Sequence, residues 1–162
     1  MESKKVAQYG LFATLAILMG YVEMLIPLPL FVPGMKLGLA NVVIVVVLYH
    51  MGTKPAFYIS LVRVVLSGLL FAGFAGLLYS LAGALCSLGI MVVLKKTGKC
   101  SIAGVSIMGG VFHNIGQIIV AALVVENIKI AYYLPFLLVT GVVTGFLIGF
   151  VANLTLPYLH RR

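Results

Sequence analysis

Apolar residues form six runs along the chain, separated by short segments that hold most of the charged residues. A helix needs about 20 residues to cross the hydrocarbon core of a bilayer. The pattern therefore predicts an all-α integral membrane protein, a compact bundle of about six transmembrane helices. Their predicted bounds are residues 6–26, 37–51, 56–70, 73–94, 103–125 and 131–159. The second and third runs are short, so we expect one or both to be tilted, buried or broken.

The first two runs are joined by an apolar segment, residues 27–36, which contains three prolines and ends in Lys36. Proline lacks a backbone donor and clashes with the preceding helical turn, so this segment is not predicted to be a regular helix. Non-helical backbone at membrane depth is tolerated only where it is buried in protein or lines a cavity. The segment is either a lid over a pocket or a plain turn at the membrane surface. Lys36 and the nearby Asn41 favour the lid.

The composition supports a membrane domain with no soluble module. Hydrophobic residues make up 63% of the 162 positions and charged residues 9%, and the mean hydropathy is +1.23. We interpret residues 1–162 as a single transmembrane domain. The N-terminal run is longer than the apolar region of a secretory signal peptide, and no small-residue cleavage site precedes a polar domain. It is predicted to be a retained first helix.

The basic residues predict the orientation. With the N-terminus inside, eight Lys and Arg residues lie on the inner side and two, Lys36 and Lys129, on the outer side. The positive-inside rule then places both termini in the cytoplasm and residues 27–36 outside. The formal charge of +8 does not indicate a nucleic-acid partner, because the basic residues lie at the ends of apolar runs and form no polar patch.

Most catalytic chemistry is excluded by the residue inventory. The chain has no aspartate, and its three acidic residues are Glu2, Glu23 and Glu126. Magnesium-dependent diphosphate chemistry needs clustered carboxylates, so we predict no enzyme activity, no metal site and no cofactor. Cys86 lies in an apolar run and Cys100 in a basic loop, a placement that predicts neither a structural disulfide nor a metal site.

Polar residues within apolar runs are the candidate functional residues, because they are costly there and usually functional. Arg63 should face a partner or a wet cavity, and Glu23 is its natural ion-pair candidate. The pair is either a structural brace or a cationic site for an anionic ligand. Asn41, Tyr79 and Ser80 are weaker candidates, for which hydrogen bonding between helices is an equal alternative.

The fifth run contains the densest polar cluster: His113, Asn114 and Gln117. At 100° per residue these side chains share an arc of about 100°, flanked by Gly109, Gly110 and Gly116. One face that is both polar and small is typical of a cavity wall. The alternative is a set of satisfied core residues. His113 has no second ligand at metal spacing.

Small residues recur at helical spacing in three runs and indicate close helix packing. The sets are Gly141, Gly145 and Gly149; Gly76, Ser80 and Ala84; and Ala13, Ala16 and Gly20. The first two sets favour packing inside one bundle. The third lies on the terminal helix, so it could equally dock a partner protein.

Four motifs carry a resemblance to a known bacterial membrane family. They are Pro-Gly-Met-Lys-Leu-Gly-Leu-Ala-Asn (33–41), Ser-Leu-Val-Arg-Val-Val-Leu-Ser-Gly (60–68), Tyr-Ser-Leu-Ala-Gly (79–83) and Gly-Val-Phe-His-Asn-Ile-Gly-Gln (110–117). The chain resembles the Gx transporter family, also called heptaprenyl diphosphate synthase component I. That family is similar to the substrate-binding S components of energy-coupling factor (ECF) importers. The resemblance covers nearly the whole chain.

This resemblance implies a substrate-binding subunit in the bacterial plasma membrane, with a transmembrane coupling subunit and two ATPases as partners. It implies a pocket in the outer half, built from the loop between helices 1 and 2 and from helices 4 to 6. The cationic and neutral polar candidates favour a small, anionic or amphipathic metabolite as the ligand. The residues carried over are Lys36, Asn41, Arg63, His113, Asn114 and Gln117. Helix 1 would contribute to docking, although Ala13, Ala16 and Gly20 depart from the Ala-x-x-x-Ala signature of S components. The alternative is a membrane scaffold or regulatory subunit in prenyl diphosphate or quinone metabolism.

Overall fold

The structure, a computed structural model, describes residues 2–25 and 38–160. Regular structure within these residues is entirely helical. The six α-helices are α1 (Glu2–Leu25), α2 (Asn41–His50), α3 (Thr53–Ser67), α4 (Gly73–Thr97), α5 (Ile102–Val124) and α6 (Leu134–His160). A π-helical turn, Gly68–Ala72, links α3 to α4, and a 3-10 segment, Ile128–Tyr133, precedes α6. The predicted all-α fold is confirmed.

Four apolar helical runs in the described residues are long enough to cross a membrane. They are Ser3–Leu25, Thr53–Thr97, Ile102–Val124 and Ile128–Leu159. Length and composition therefore indicate a membrane protein. The number of separate crossings stays a prediction, because α2 is too short to span and α3 and α4 form one apolar run.

Helix α2 forms the centre of the hydrophobic core. Its residues from Val43 to Leu48 are all buried, and a helix that is hydrophobic on every side is expected inside a protein. At ten residues it is about 15 Å long, half of the roughly 30 Å of a bilayer core. It begins four residues later than predicted, because Gly38 has a φ of +91° and its carbonyl accepts from Asn41 N in a turn.

Helices α3 and α4 form an antiparallel hairpin. Phe57 and Leu88 line one narrow slot between the two helices, and Val64 and Leu81 line its other end. The chain reverses after the π-helical turn at Gly73, whose φ of +71° is in the left-handed region that glycine adopts readily. The reversal lies between the predicted third and fourth helices, residues 56–70 and 73–94.

The glycines of α6 allow its backbone to touch that of α5. A Cβ atom built on Gly145 would lie 2.6 Å from Ile107 Cα, and one built on Gly149 would lie 2.6 Å from Ala103 Cα. The third glycine, Gly141, would bring a Cβ within 3.0 Å of the Gly110 backbone. The predicted role of these glycines in packing within the bundle is confirmed.

The small residues of α4 are divided between two neighbours. Ala84 faces α3 in the slot that Val64 also lines. The residues that meet α5 are instead Ala82 and Gly83, and a Cβ on Gly116 would lie 2.7 Å from the Ala82 carbonyl oxygen. The stripe through Gly76, Ser80 and Ala84 is buried as expected, but it is not the surface on which α5 packs.

Candidate functional site

Buried polar side chains of α1, α2, α3 and α5 are linked by hydrogen bonds and by contacts at Gly20, Gly38 and Gly83, and we refer to them as the polar cluster. Its members are Glu23, Asn41, Arg63, Ser67, His113 and Gln117, all of which are buried. They come from four helices, and Glu23, Asn41 and His113 lie next to Gly38, the first described residue after segment 27–36. Other buried polar side chains lie elsewhere in the bundle: Ser60, Ser80, Ser87, Ser106 and Asn114.

Arg63 and Asn41 link α3 to the start of α2. The Nη2 atom of Arg63 donates to Asn41 Oδ1 at 3.5 Å. Asn41 is held by the turn before it, and a Cβ on Gly38 would lie 2.8 Å from Asn41 Nδ2. Glycine is therefore required at position 38 by both its backbone angle and the space around it.

Glu23 connects α1 to the same turn. Its Oε1 accepts a hydrogen bond from the backbone N–H of Gly38 at 2.5 Å. The carboxylate also interacts electrostatically with the buried guanidinium of Arg63. The turn at Gly38 thus lies between the two charged residues, bonded to Glu23 and followed by Asn41, the partner of Arg63. A direct Glu23–Arg63 ion pair stays a prediction.

His113 and Gln117 lie one turn apart on α5 and face Gly83 of α4. A Cβ on Gly83 would lie 2.9 Å from His113 Cε1 and Nδ1, and 3.0 Å from Gln117 Cγ. A Cβ on Gly38 would lie 3.7 Å from His113 Cδ2. The imidazole is thus placed between α4 and the turn that precedes α2.

Several polar atoms of the cluster have no hydrogen-bond partner among the described residues. They are both amide atoms of Gln117, the Nε of Arg63 and the Oγ of Ser67. Gln117 is fully buried. Unpaired buried polar groups cost about 1–3 kcal/mol each, and natural proteins retain them mainly where a ligand, ion or water completes the bonding.

Asn114 is separated from the other polar residues of α5. Its Nδ2 donates to the Leu137 carbonyl oxygen on α6 at 2.6 Å and lies 3.5 Å from Thr140 Oγ1. The expected shared face of His113, Asn114 and Gln117 is wrong in this respect. The 100° step between residues 113 and 114 directs one side chain to α4 and the other to α6.

The remaining sequence candidates are distributed as follows. Tyr79 is buried in a small apolar cluster with Ile118, Ala121 and Leu137. Lys36, together with the proposed lid at residues 27–36, lies outside the described residues. The structure therefore joins Asn41 to Arg63 by a hydrogen bond, places His113 next to Gly38 with Gln117 one turn further along α5, and leaves Tyr79 with apolar neighbours.

The small residues of α1 face the interior. Ala16 is fully buried, Gly20 is buried, and a Cβ on Gly20 would lie 3.6 Å from Ser67 Oγ. Ala13 is half-buried. Ala16 and Gly20 therefore pack inside the chain, and the docking role of this stripe stays a prediction.

Three residues that shape the cluster were not singled out by sequence reasoning. Gly38 and Gly83 provide space for Asn41 and His113, and Ser67 lies one turn beyond Arg63 on α3. Each lies within a motif that carries the family resemblance, and that position could have marked it as a site residue.

Within residues 2–25 and 38–160, no group of three His, Cys, Asp or Glu side chains is arranged to hold a metal ion.

Comparison with protein families covers most of the chain. The sequence profile of the family described as heptaprenyl diphosphate synthase component I matches residues 12–155. The chain belongs to this family. No curated protein and no solved structure matches the chain. All members of the polar cluster lie within the matched range.

Proposed function

We propose that this protein is the substrate-binding membrane subunit, or S component, of an ECF-type ATP-driven importer. The observation that supports the proposal is the polar cluster, in which the fully buried Gln117 amide has no hydrogen-bond partner among the described residues. A small ligand that bonds to Gln117, Arg63 and Ser67 would satisfy these atoms. The apolar surroundings would make each such bond strong.

The cluster favours a small polar ligand with an anionic or amphipathic character. Arg63 and the Gln117 amide supply donors, and Gln117 also supplies an acceptor. Glu23 offsets the Arg63 charge, so the ligand need not neutralise a full buried cation. Lys36, on the proposed lid, would add a second cation once the lid closes.

In this proposal the chain binds and does not catalyse. The segment at residues 27–36 closes over the bound ligand. Its closure is coupled to the polar cluster through Gly38, which contacts Glu23 and Asn41. A transmembrane coupling subunit with two ATPases then drives release inside the bacterium.

The family description favours a second candidate from a different class. A membrane subunit that scaffolds or regulates a prenyl diphosphate synthase would fit the name heptaprenyl diphosphate synthase component I. Such a subunit would also lack catalytic residues of its own, and its soluble partner would carry the metal-binding carboxylates.

Two measurements distinguish these functions. The tagged chain is purified from the membranes of its source organism in a mild detergent, and co-purifying proteins are identified by mass spectrometry. Recovery of a coupling subunit with ATPases supports the importer, whereas recovery of a soluble prenyltransferase supports the scaffold.

Native mass spectrometry then looks for a retained small molecule in the wild type, in Gln117→Met and in the control Gln8→Met. The importer proposal fails if no metabolite is retained by the wild type, or if Gln117→Met retains it equally well.

A further inference from the structure

A groove runs along the α3–α4 hairpin, away from the polar cluster. Its walls are Thr53, Lys54, Phe57, Tyr58, Leu85, Leu88, Gly89 and Val92, and its volume is about 460 Å³. This volume is within the range of about 300–1,000 Å³ that small-molecule sites occupy. We refer to it as the α3–α4 groove. No residue in it contributes to the function proposed above.

A narrow slot continues the groove along the hairpin. At Phe57, Leu85 and Leu88 it continues into the narrow slot that extends along α3 to Val64. From Thr53 to Val64 the helix rises about 16 Å at 1.5 Å per residue. Half of the bilayer hydrocarbon is about 15 Å. An acyl chain that lies in the groove and then along the outside of this slot would therefore run from the membrane interface to near the bilayer centre.

One end of the groove is positively charged. Lys54 is exposed at that end, and Lys96 follows Val92 by four residues, so it lies on the same face of α4. The first turn of α3 adds backbone N–H groups of Thr53 and Lys54, since the residue before it, Gly52, has no side chain to cap them. Helix N-termini favour anions.

Aromatic side chains mark the same end as the membrane interface. Tyr58 is exposed, and its ring packs edge-on against Phe57 with centroids 5.8 Å apart. Tyrosine is enriched at the level of lipid head groups. The order from basic residues through an aromatic pair to aliphatic walls matches the order of chemical groups in a phospholipid.

We infer that the α3–α4 groove binds one anionic phospholipid, with its phosphate at Lys54 and Lys96 and one acyl chain along the outside of the α3–α4 hairpin. The slot has a volume of only about 10 Å³, at the lower limit for a single water molecule. The acyl chain therefore lies along the outside of the slot and does not enter it. This inference needs insertion in a membrane and holds for either function proposed above.

Gly89 permits a sharp test, because a side chain there fills the groove without disturbing the fold. No atom lies within 4 Å of a Cβ built on Gly89. Native mass spectrometry measures the binding of phosphatidylglycerol and phosphatidylcholine with identical acyl chains. We expect Gly89→Phe to reduce retention of both lipids, and Gly89→Leu to give a smaller reduction. Both variants are first checked for wild-type helical content.

The charge at the groove end is tested separately. Lys54→Gln and Lys96→Gln should each lower the preference for phosphatidylglycerol by about fivefold, whereas Lys99→Gln, with the same change of charge in the loop after α4, should not. Equal binding of the two lipids to the wild type would overturn the inference. So would an equal effect of Lys99→Gln, or unchanged lipid retention in both Gly89 variants.

Discussion

The Nη2 atom of Arg63 lies 3.5 Å from the side-chain oxygen of Asn41, and the two residues are 2% and 6% exposed. This contact joins α3 to the first residue of α2, and Glu23 joins both to α1 through Gly38 and through its charge. Among the described residues, Glu23 and Arg63 are therefore a buried pair of opposite charge within the bundle. The ligand proposed above would bind beside it.

Arg63→Met should strongly destabilise the protein, because it leaves the buried Glu23 carboxylate without this cation. Removing one partner of a buried ion pair costs about 3–5 kcal/mol. The double variant Glu23→Gln/Arg63→Met should recover much of that loss. Thermal unfolding in detergent measures both, with Lys129→Met as an exposed control that removes one charge. Additive losses in the double variant would contradict the coupling.

Gln117→Met should make the ligand-free protein more stable. The amide is fully buried and unpaired among the described residues, so replacing it by an apolar side chain of similar length removes a penalty of about 1–3 kcal/mol. Differential scanning calorimetry of ligand-free protein measures the change. Gln8→Met, on the exposed face of α1, should leave the melting temperature unchanged. A lower melting temperature for Gln117→Met would mean that the amide is already satisfied.

Asn114→Ala should weaken the contact between α5 and α6, because it removes the hydrogen bond to the Leu137 carbonyl. Hydrogen bonds between membrane helices contribute about 0.6 kcal/mol on average and up to about 1.7. The short distance of 2.6 Å places this bond toward the upper value. Chemical denaturation in mixed micelles measures it, with the exposed Asn153→Ala as the matched control. Equal stability of the two variants would refute a structural role for Asn114.

Gly145→Ala should separate α5 from α6, since the new methyl would lie 2.6 Å from Ile107 Cα. Overpacking against backbone typically costs about 1–3 kcal/mol. The same substitution at Gly10, where no atom lies within 4 Å of the new Cβ, should be neutral or stabilising by up to about 1 kcal/mol. Melting temperatures of the two variants in one detergent give the comparison. A Gly145→Ala variant as stable as Gly10→Ala would exclude the close packing.

Lys95→Met should destabilise the end of α2. The Lys95 ammonium donates to the Leu48 carbonyl at 2.5 Å and lies 5.0 Å from the centre of the Tyr49 ring. A charged hydrogen bond to a carbonyl at a helix C-terminus contributes about 1.5–3 kcal/mol. Hydrogen exchange at the last turn of α2 should become faster, whereas Lys99→Met, in the following loop, should not change it. Unaltered exchange in Lys95→Met would exclude this capping role.

The sequence by itself determined the helical class and the approximate extent of each helix. Apolar runs and their interruptions are local properties, so α1, α4, α5 and α6 could be located from them within a few residues at most of their ends. The glycine repeat of α6 also predicts a helix face without side chains, since residues four apart lie on one face of a helix. Its packing against α5 followed from this spacing.

Only the tertiary structure decided which polar residues meet. Asn114 and His113 are neighbours in sequence, yet one bonds to α6 and the other lies against α4, because helix placement on two sides of α5 is not encoded in its own periodicity. The burial of Ala16 and Gly20 depends likewise on where α3 packs. Gly38 shows the same limit: its positive φ and its bond to Glu23 arise from a contact across 15 residues, which no local pattern contains.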